Sequence, residues 1–313
     1  MKQLLQSLSN GSSDLVEIPA PNICEGHLLI KTTRSLISSG TEKMLVDFGK
    51  ANIIDKAKKQ PDKVKQVFEK AITDGPINAY EAVKSKLDQP ITLGYCNVGT
   101  VIEVGEGVKN FRKGERVVSN GPHAELVLVP ENLCASIPDN VDDEKACFTL
   151  LASIGLQGIR LANPTIGETF LVSGLGIIGL LTCQLLKANG CKVLAIDVDH
   201  TKCEMAESLG ISSLNLSKGV DPVDWCLENN QGNYIDGVLI TANTQKSEPV
   251  HLAAKVSRQR GRIILVGVTG LNIRRDLFYK KELSFQVSCS YGPGRYDKNY
   301  ERDGNDYPFG LVR

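Results

Sequence analysis

Gly174-Leu175-Gly176-Ile177-Ile178-Gly179 has the G-x-G-x-x-G spacing of a turn that cradles a pyrophosphate. An apolar run, 169–173, precedes it, and an apolar helical run, 177–188, follows. A second apolar run, 192–197, ends in Asp197. Each glycine has its own task. The first allows the tight turn, the second lets backbone amides approach phosphate, and the third lets helix and strand pack closely. The amides of Ile177 and Ile178 would open the helix and face the phosphates with its positive end. Asp197 would accept from the adenosine ribose hydroxyls and repel a 2′-phosphate, which favours NAD over NADP. The competing reading is a structural glycine turn that holds no ligand.

These residues need elements to hold them. After about residue 159, apolar strands (169–173, 192–197, 235–241, 262–268) alternate with helices (177–188, 201–209, 248–259). That alternation calls for a parallel sheet covered on both faces, an α/β class. Before it, short strand-like runs at 28–32, 98–104, 116–118 and 125–129 are separated by glycines, as in a β-rich barrel or sandwich. Between them, 49–87 reads as two helices, over 60–72 and 78–86, with nine Lys or Arg against five Asp or Glu. That stretch is either a solvated outer face or a lid over an anionic ligand.

Composition narrows the partners. The chain has 313 residues and equal numbers, 36 each, of basic and acidic side chains. Without a basic field, nucleic acid and acidic membranes are not expected partners, and a small-molecule substrate is. The nine cysteines form no C-x-x-C pair, which argues for reduced thiols in a cytoplasmic-type compartment and against a zinc knuckle. Thr169–Leu186 is uncharged, but its three glycines and its polar residues suit strand, turn and buried helix better than a membrane span. Met1–Gln6 soon turns polar and does not read as a secretory leader.

A family resemblance rests on particular segments. Residues 107–117, GVKNFRKGERV, resemble the G-V-x-x-F-x-x-G-D-R-V signature of medium-chain dehydrogenases/reductases, and 121–126, GPHAEL, resemble their G-G-F-A-E-Y turn. With the glycine motif, the similarity covers nearly the whole chain in the right order. It implies a GroES-like catalytic domain over 1–158, with a helical insertion at about 49–87. A Rossmann NAD-binding domain would follow over 159–290, and a truncated C-terminal return over 291–313. It also places Thr241 and Gly267 beside the cofactor, with Gly174, Gly176, Ile177, Ile178, Gly179 and Asp197. More narrowly, residues 94–99, 119–123 and 288–295 resemble bi-domain oxidoreductases that join a zinc-alcohol-dehydrogenase-like half to a Gfo/Idh/MocA-type sugar dehydrogenase half. That subgroup is linked to surface-polysaccharide synthesis. A homo-oligomer or a separately encoded sugar-dehydrogenase partner is then implied.

The departures from the family are informative. Where zinc enzymes have a C-G-T-D turn, a G-H-E turn and a later Cys, this chain has Ser39-Gly40-Thr41-Glu42, Gly94-Tyr95-Cys96 and Ser153. Hydroxyls do not replace thiolate and imidazole on zinc, so no metal is expected. Tyr95, Ser39 and Thr41 become the candidate donors to a substrate oxygen, or else satisfied turn hydroxyls. Cys96 reads as a small buried hydrophobe or a solitary ligand. His123 reads as a strand-entry residue rather than a proton carrier. A missing return would leave Leu29, Val101 and Val127 partly uncovered. Two functions remain open: a zinc-independent, NAD-linked oxidoreductase for an alcohol, carbonyl or sugar-type substrate, and a nucleotide-binding module without turnover that docks on a partner.

Overall fold

The computed structural model describes residues 1–52, 55–56, 85, 87–301 and 303–305. The expected helices at 60–72 and 78–86 lie outside the described residues. The chain divides into two units, Met1–Thr149 and Leu150–Arg313.

The first unit is built from eight strands among the described residues: β1 (Lys2–Gln6), β2 (Ser13–Glu17), β3 (His27–Ser35), β4 (Ile91–Thr92), β5 (Asn97–Val104), β6 (Arg116–Ser119), β7 (Leu126–Pro130) and β8 (Cys134–Ser136). An antiparallel sheet of order β7-β3-β5-β6-β8 forms its centre, and β2-β1-β4 forms a smaller sheet. Alternation along β3, β5 and β7 turns Leu28, Ile30, Val101, Val127 and Val129 into one core with Val117. Val108, Phe111 and Leu133 pack against that core. The expectation that Leu29, Val101 and Val127 stay uncovered is therefore corrected: they are 7%, 1% and 2% exposed. Neighbouring strands and loops of the same unit close over Val101 and Val127, so no returning strand is needed to cover them.

The second unit contains β9 (Thr169–Ser173), β10 (Lys192–Asp197), β11 (Ser212–Asn215), β12 (Ile235–Ile240), β13 (Ser257–Leu265) and β14 (Ser284–Val287). They form one parallel sheet of order β11-β10-β9-β12-β13-β14. The order reverses at β9, so a crevice opens outside the carboxyl ends of β9 and β12, where such sheets take ligands. β9 is buried at every position and β10 at all but its first, as a sheet covered on both faces demands. Among the described residues, no helix is long and apolar enough to cross a membrane.

Two boundaries differ from the sequence reading, each for a local reason. The units divide at Thr149–Leu150 rather than at residue 158. The helix Thr149–Ala162 packs on the parallel sheet: a Cβ on Gly158 would lie 2.5 Å from Val266 Cγ2 and 3.2 Å from Leu239 Cδ2. Arg262 ties its far end, donating to the carbonyls of Ala162 and Asn163 at 2.9 Å.

The helix expected over 248–259 stops at Val256, and β13 begins at Ser257. Lys281 ends it, donating from Nζ to the carbonyls of Ala254 at 3.0 Å and of Lys255 and Ser257 at 2.7 Å. A cation at a helix C-terminus also meets the negative end of the dipole. Lys281→Met keeps the stem and removes all three bonds. It should lower unfolding stability by about 1–3 kcal/mol in urea titrations, and an unchanged midpoint would show that solvent caps the helix equally well.

Candidate functional site

The glycine motif follows β9 directly, and its three glycines meet three different surroundings. Gly174 has φ +105°, a left-handed value open to glycine, and a Cβ there would lie 2.6 Å from the Ala242 backbone nitrogen. Gly176 is the N-cap of the helix Ile177–Ala188 and has nothing within 4 Å of its missing Cβ. Gly179 lies so near the Gly174 carbonyl that a Cβ would overlap it, and would stand 2.8 Å from Thr241 Oγ1. Open space at the second glycine and crowding at the first and third are what a phosphate cradle requires. No side chain caps this helix, so the amides of its first turn, with Ile177 and Ile178, remain available to an anion.

Thr241 and Gly267 stand behind the motif. Thr241 Oγ1 donates to the carbonyl of Gly174 at 2.5 Å, and its amide donates to Ser173 at 2.9 Å. A Cβ on Gly267 would run into the carbonyls of Ala242 and Thr241. Thr241 fixes the turn from the end of β12, and Gly267, just beyond β13, packs against Thr241 and Ala242. Their polar groups serve the protein backbone.

Asp197, the last residue of β10, is 8% exposed. Its Oδ2 accepts from the Leu175 amide at 2.6 Å, and its Oδ1 from the Asp199 amide at 2.9 Å. Lys202 Nζ lies 3.9 Å from Asp197 and 3.9 Å from Asp199. A carboxylate offers about four lone-pair sites. The two bonds to amides therefore leave acceptor capacity for hydroxyls, and they tie the carboxylate to the glycine turn. A dinucleotide fits this donor and acceptor set.

In the first unit, the candidate hydroxyls partly converge. The helix Thr41–Lys50 begins in the Ser39-Gly40-Thr41-Glu42 turn, and Tyr95 Oη donates to Thr41 Oγ1 at 3.2 Å. Ser39 is exposed on the same turn. Beneath this pair runs a connection that sequence reasoning did not find. Glu42 is 5% exposed; its Oε1 accepts from the Ser38 amide at 2.7 Å, and its Oε2 lies 3.0 Å from His123 Nε2. The other ring nitrogen, Nδ1, lies 2.9 Å from Ser35 Oγ. Nε2 faces the Glu42 carboxylate, where its hydrogen is held, and Nδ1 faces the Ser35 hydroxyl, which can either donate to it or accept from it. The imidazole also fills the place beside the Tyr95 turn: a Cβ on Gly94 would lie 2.6 Å from His123 Cγ. Thus one buried pair braces both chains that carry the hydroxyl contact. His123 follows no readable motif for this role, and Glu42 was only the fourth letter of a turn. A charged residue in the first turn of a helix was the sole available signal.

A shallow hollow of about 420 Å³ borders Ser35 and His123, walled by Leu4, Leu15, Ile37 and Ala124. Cys96 is fully buried, and its thiol is pushed up to about 12, first by burial and then by the Glu42 and Cys147 charges.

The donors at the family's zinc positions do not suit zinc. Tyr95 binds Thr41, and Ser153 Oγ donates to the Leu150 carbonyl at 2.7 Å within its own helix. Among the described residues, no group of three or more His, Cys, Asp or Glu is arranged to hold a metal ion.

Comparison with known proteins bears on both units. Residues 70–139 match the alcohol dehydrogenase GroES-like domain, and 178–302 match the zinc-binding dehydrogenase family. Probable D-xylulose reductase A of Neosartorya fischeri is 26% identical over 245 residues, covering 66% of this chain and 68% of that protein. Among solved structures, 2R,3R-butanediol dehydrogenase from Bacillus subtilis superposes with a TM-score of 0.73 at 20% identity, covering 94% of this chain and 85% of that one. An Escherichia coli CFT073 protein described as a short chain alcohol dehydrogenase, complexed with NADH, gives 0.73 at 20% identity over 94% and 85%. With the GroES-like model matching within the first unit and the dehydrogenase model within the second, the chain carries both parts of a medium-chain alcohol dehydrogenase and is an oxidoreductase of that type with an NAD(P)-binding fold.

Proposed function

We propose that the chain is a zinc-independent, NAD(H)-linked oxidoreductase that interconverts a secondary alcohol and a ketone on a polyol-type substrate. The observation that carries this reading is the Tyr95–Thr41 hydroxyl pair, with Tyr95 at one of the family's metal-ligand positions and Thr41 in the turn that bears another at Ser39, braced by Glu42 and His123. The polyol class is supported by relatives and neighbours named for D-xylulose and 2R,3R-butanediol.

The bound nicotinamide supplies or accepts the hydride. The protein's part is to bind, orient and manage one proton. Gly174, Gly176 and Gly179 with the amides of Ile177 and Ile178 take the pyrophosphate, and Asp197 takes the ribose hydroxyls. Thr241 and Gly267 hold the turn in shape. In the reductive direction Tyr95 Oη donates its proton to the carbonyl oxygen as negative charge develops there. Thr41, relieved of the Tyr95 hydrogen, passes its own hydrogen to the phenolate and regains one from solvent at that exposed turn, where Ser39 is the third hydroxyl. Glu42 and His123 do not touch substrate; they keep the two hydroxyl-bearing segments in register.

NADH oxidation measured across ketoses and small vicinal hydroxyketones tests the reaction. Turnover is expected in the wild type, and Tyr95→Phe should lower kcat by about 10²–10⁴-fold while leaving NADH affinity unchanged. A wild type that binds NADH and turns over none of these compounds would favour the nucleotide-binding module instead.

The coenzyme preference follows from Asp197. Fluorescence titration should give tighter binding of NADH than of NADPH, and Asp197→Ser should narrow or invert the preference. Tighter NADPH binding by the wild type would overturn the assignment. Zinc independence has its own test. Elemental analysis of the purified protein should find no stoichiometric zinc, and activity should survive dialysis against a chelator; one tightly held zinc per chain would refute it.

A further inference from the structure

The cofactor residues assigned so far leave part of the parallel sheet's carboxyl edge unexplained. Gln157, on the helix Thr149–Ala162, is 6% exposed, and its Oε1 has no hydrogen-bond partner. Ser288, the first residue after β14, is 8% exposed, and its Oγ is also without a partner. Buried polar atoms are almost always paired, so two unpaired groups on one edge of the sheet call for a reason.

Both lie beside the turn that follows β14. Gly158, beside Gln157, packs on Val266, and the Ser288 amide donates to the Leu265 carbonyl at 2.8 Å. The turn after Ser288 is closed by the Gly292 amide on the Cys289 carbonyl at 2.8 Å. A Cβ on Gly292 would stand 4.0 Å from Gln157 Oε1, so the glutamine aims at that turn. Because every strand of the sheet is parallel, this turn lies on the edge from which the glycine motif also emerges.

We propose that Gln157 and Ser288 read a primary carboxamide, that of the nicotinamide ring; this rests on the NAD(H) reading above. Oε1 of Gln157 can only accept, so its partner presents an N–H, and the Ser288 hydroxyl is free to donate to a carbonyl oxygen. A neutral group carrying both on adjacent atoms is a carboxamide. A carboxylate would set its own lone pairs against Oε1. If the glutamine amide is turned over, its N–H meets the ligand carbonyl and Ser288 accepts, and the complement is still a carboxamide. The two side chains thereby fix which edge of the ring lies inward and hold the ring's rotation.

Calorimetry with three probes tests this: NAD⁺, 3-acetylpyridine adenine dinucleotide, in which a methyl group replaces the amide nitrogen, and ADP-ribose, which has no ring. The wild type should bind NAD⁺ about tenfold more tightly than the acetylpyridine analogue. Gln157→Leu should erase that preference and leave ADP-ribose affinity unchanged, which also shows that the variant is folded. Ser288→Ala should weaken both ring-bearing probes and spare ADP-ribose. Thermal melts give a second readout. Gln157→Leu removes an unpaired buried group, so it should raise Tm without ligand while shrinking the rise that NAD⁺ produces. A wild type that does not distinguish NAD⁺ from the analogue would overturn the inference and leave the NAD(H) reading standing, as would a Gln157→Leu loss shared equally by ADP-ribose. Failure of the wild type to bind either NAD⁺ or ADP-ribose would overturn both.

Discussion

The second unit depends on one close approach: the helix Ile177–Ala188 meets β9 with only a hydrogen atom between Gly179 and the Gly174 carbonyl. That contact sets how deeply the helix sits on the sheet. It thereby aims the first-turn amides along the crevice beside β9, and it brings Gly174 within reach of Thr241 Oγ1. The Leu175 amide, one residue on, is fixed by Asp197 at the end of the neighbouring strand. β10 and β12 thus both hold the turn, one by a carboxylate and the other by a hydroxyl. A methyl group at Gly179 would have to push helix and strand apart, and overpacking of that kind costs about 1–3 kcal/mol even before any ligand is considered.

The first unit solves a related problem without glycine. Its hydroxyl contact joins two segments distant in sequence, the first residue of the helix Thr41–Lys50 and the loop at Tyr95 between β4 and β5. Precision there comes from the Glu42–His123 bond, with each partner below 10% exposure. A buried carboxylate facing a buried imidazole is expensive unless both are hydrogen-bonded, and here Ser38 and Ser35 complete the set. The bond thus ties the turn that begins the helix Thr41–Lys50 to the segment beside Tyr95.

Much of the second unit was legible because its signals are local. β9, β10 and the helix Ile177–Ala188 have the bounds their apolar runs suggest, since Gly174, Gly176 and Gly190 punctuate them. β1 and β2 were not recognised, and half-exposed edge strands such as Ser13–Glu17 carry little apolar alternation to read. The end of the helix at Val256 was misplaced because Lys281, distant in sequence, decides it. The site divides in the same way. The glycine motif, Asp197 and the turns that carry Tyr95 and Thr41 are each short local patterns, whereas the Tyr95–Thr41 and Glu42–His123 contacts and the placing of Gln157 and Ser288 beside one turn exist only after folding. Unpaired buried atoms leave no trace in a sequence, because their significance is the absence of a neighbour.

Burial of the sulfur atoms has a consequence for how the chain meets oxidants. Cys96, Cys147, Cys183, Cys191, Cys203 and Cys226 are all buried, and the thiols of Cys96, Cys134, Cys183 and Cys226 are pushed up to about 12, chiefly by burial. Nucleophilic sulfur chemistry proceeds through the thiolate, which these four hardly populate near neutrality. A maleimide therefore meets a folded chain whose most accessible thiol is Cys24, exposed in the loop before β3. Local opening then becomes the step that limits modification elsewhere, so the order in which the other cysteines react would trace which parts of each unit loosen first.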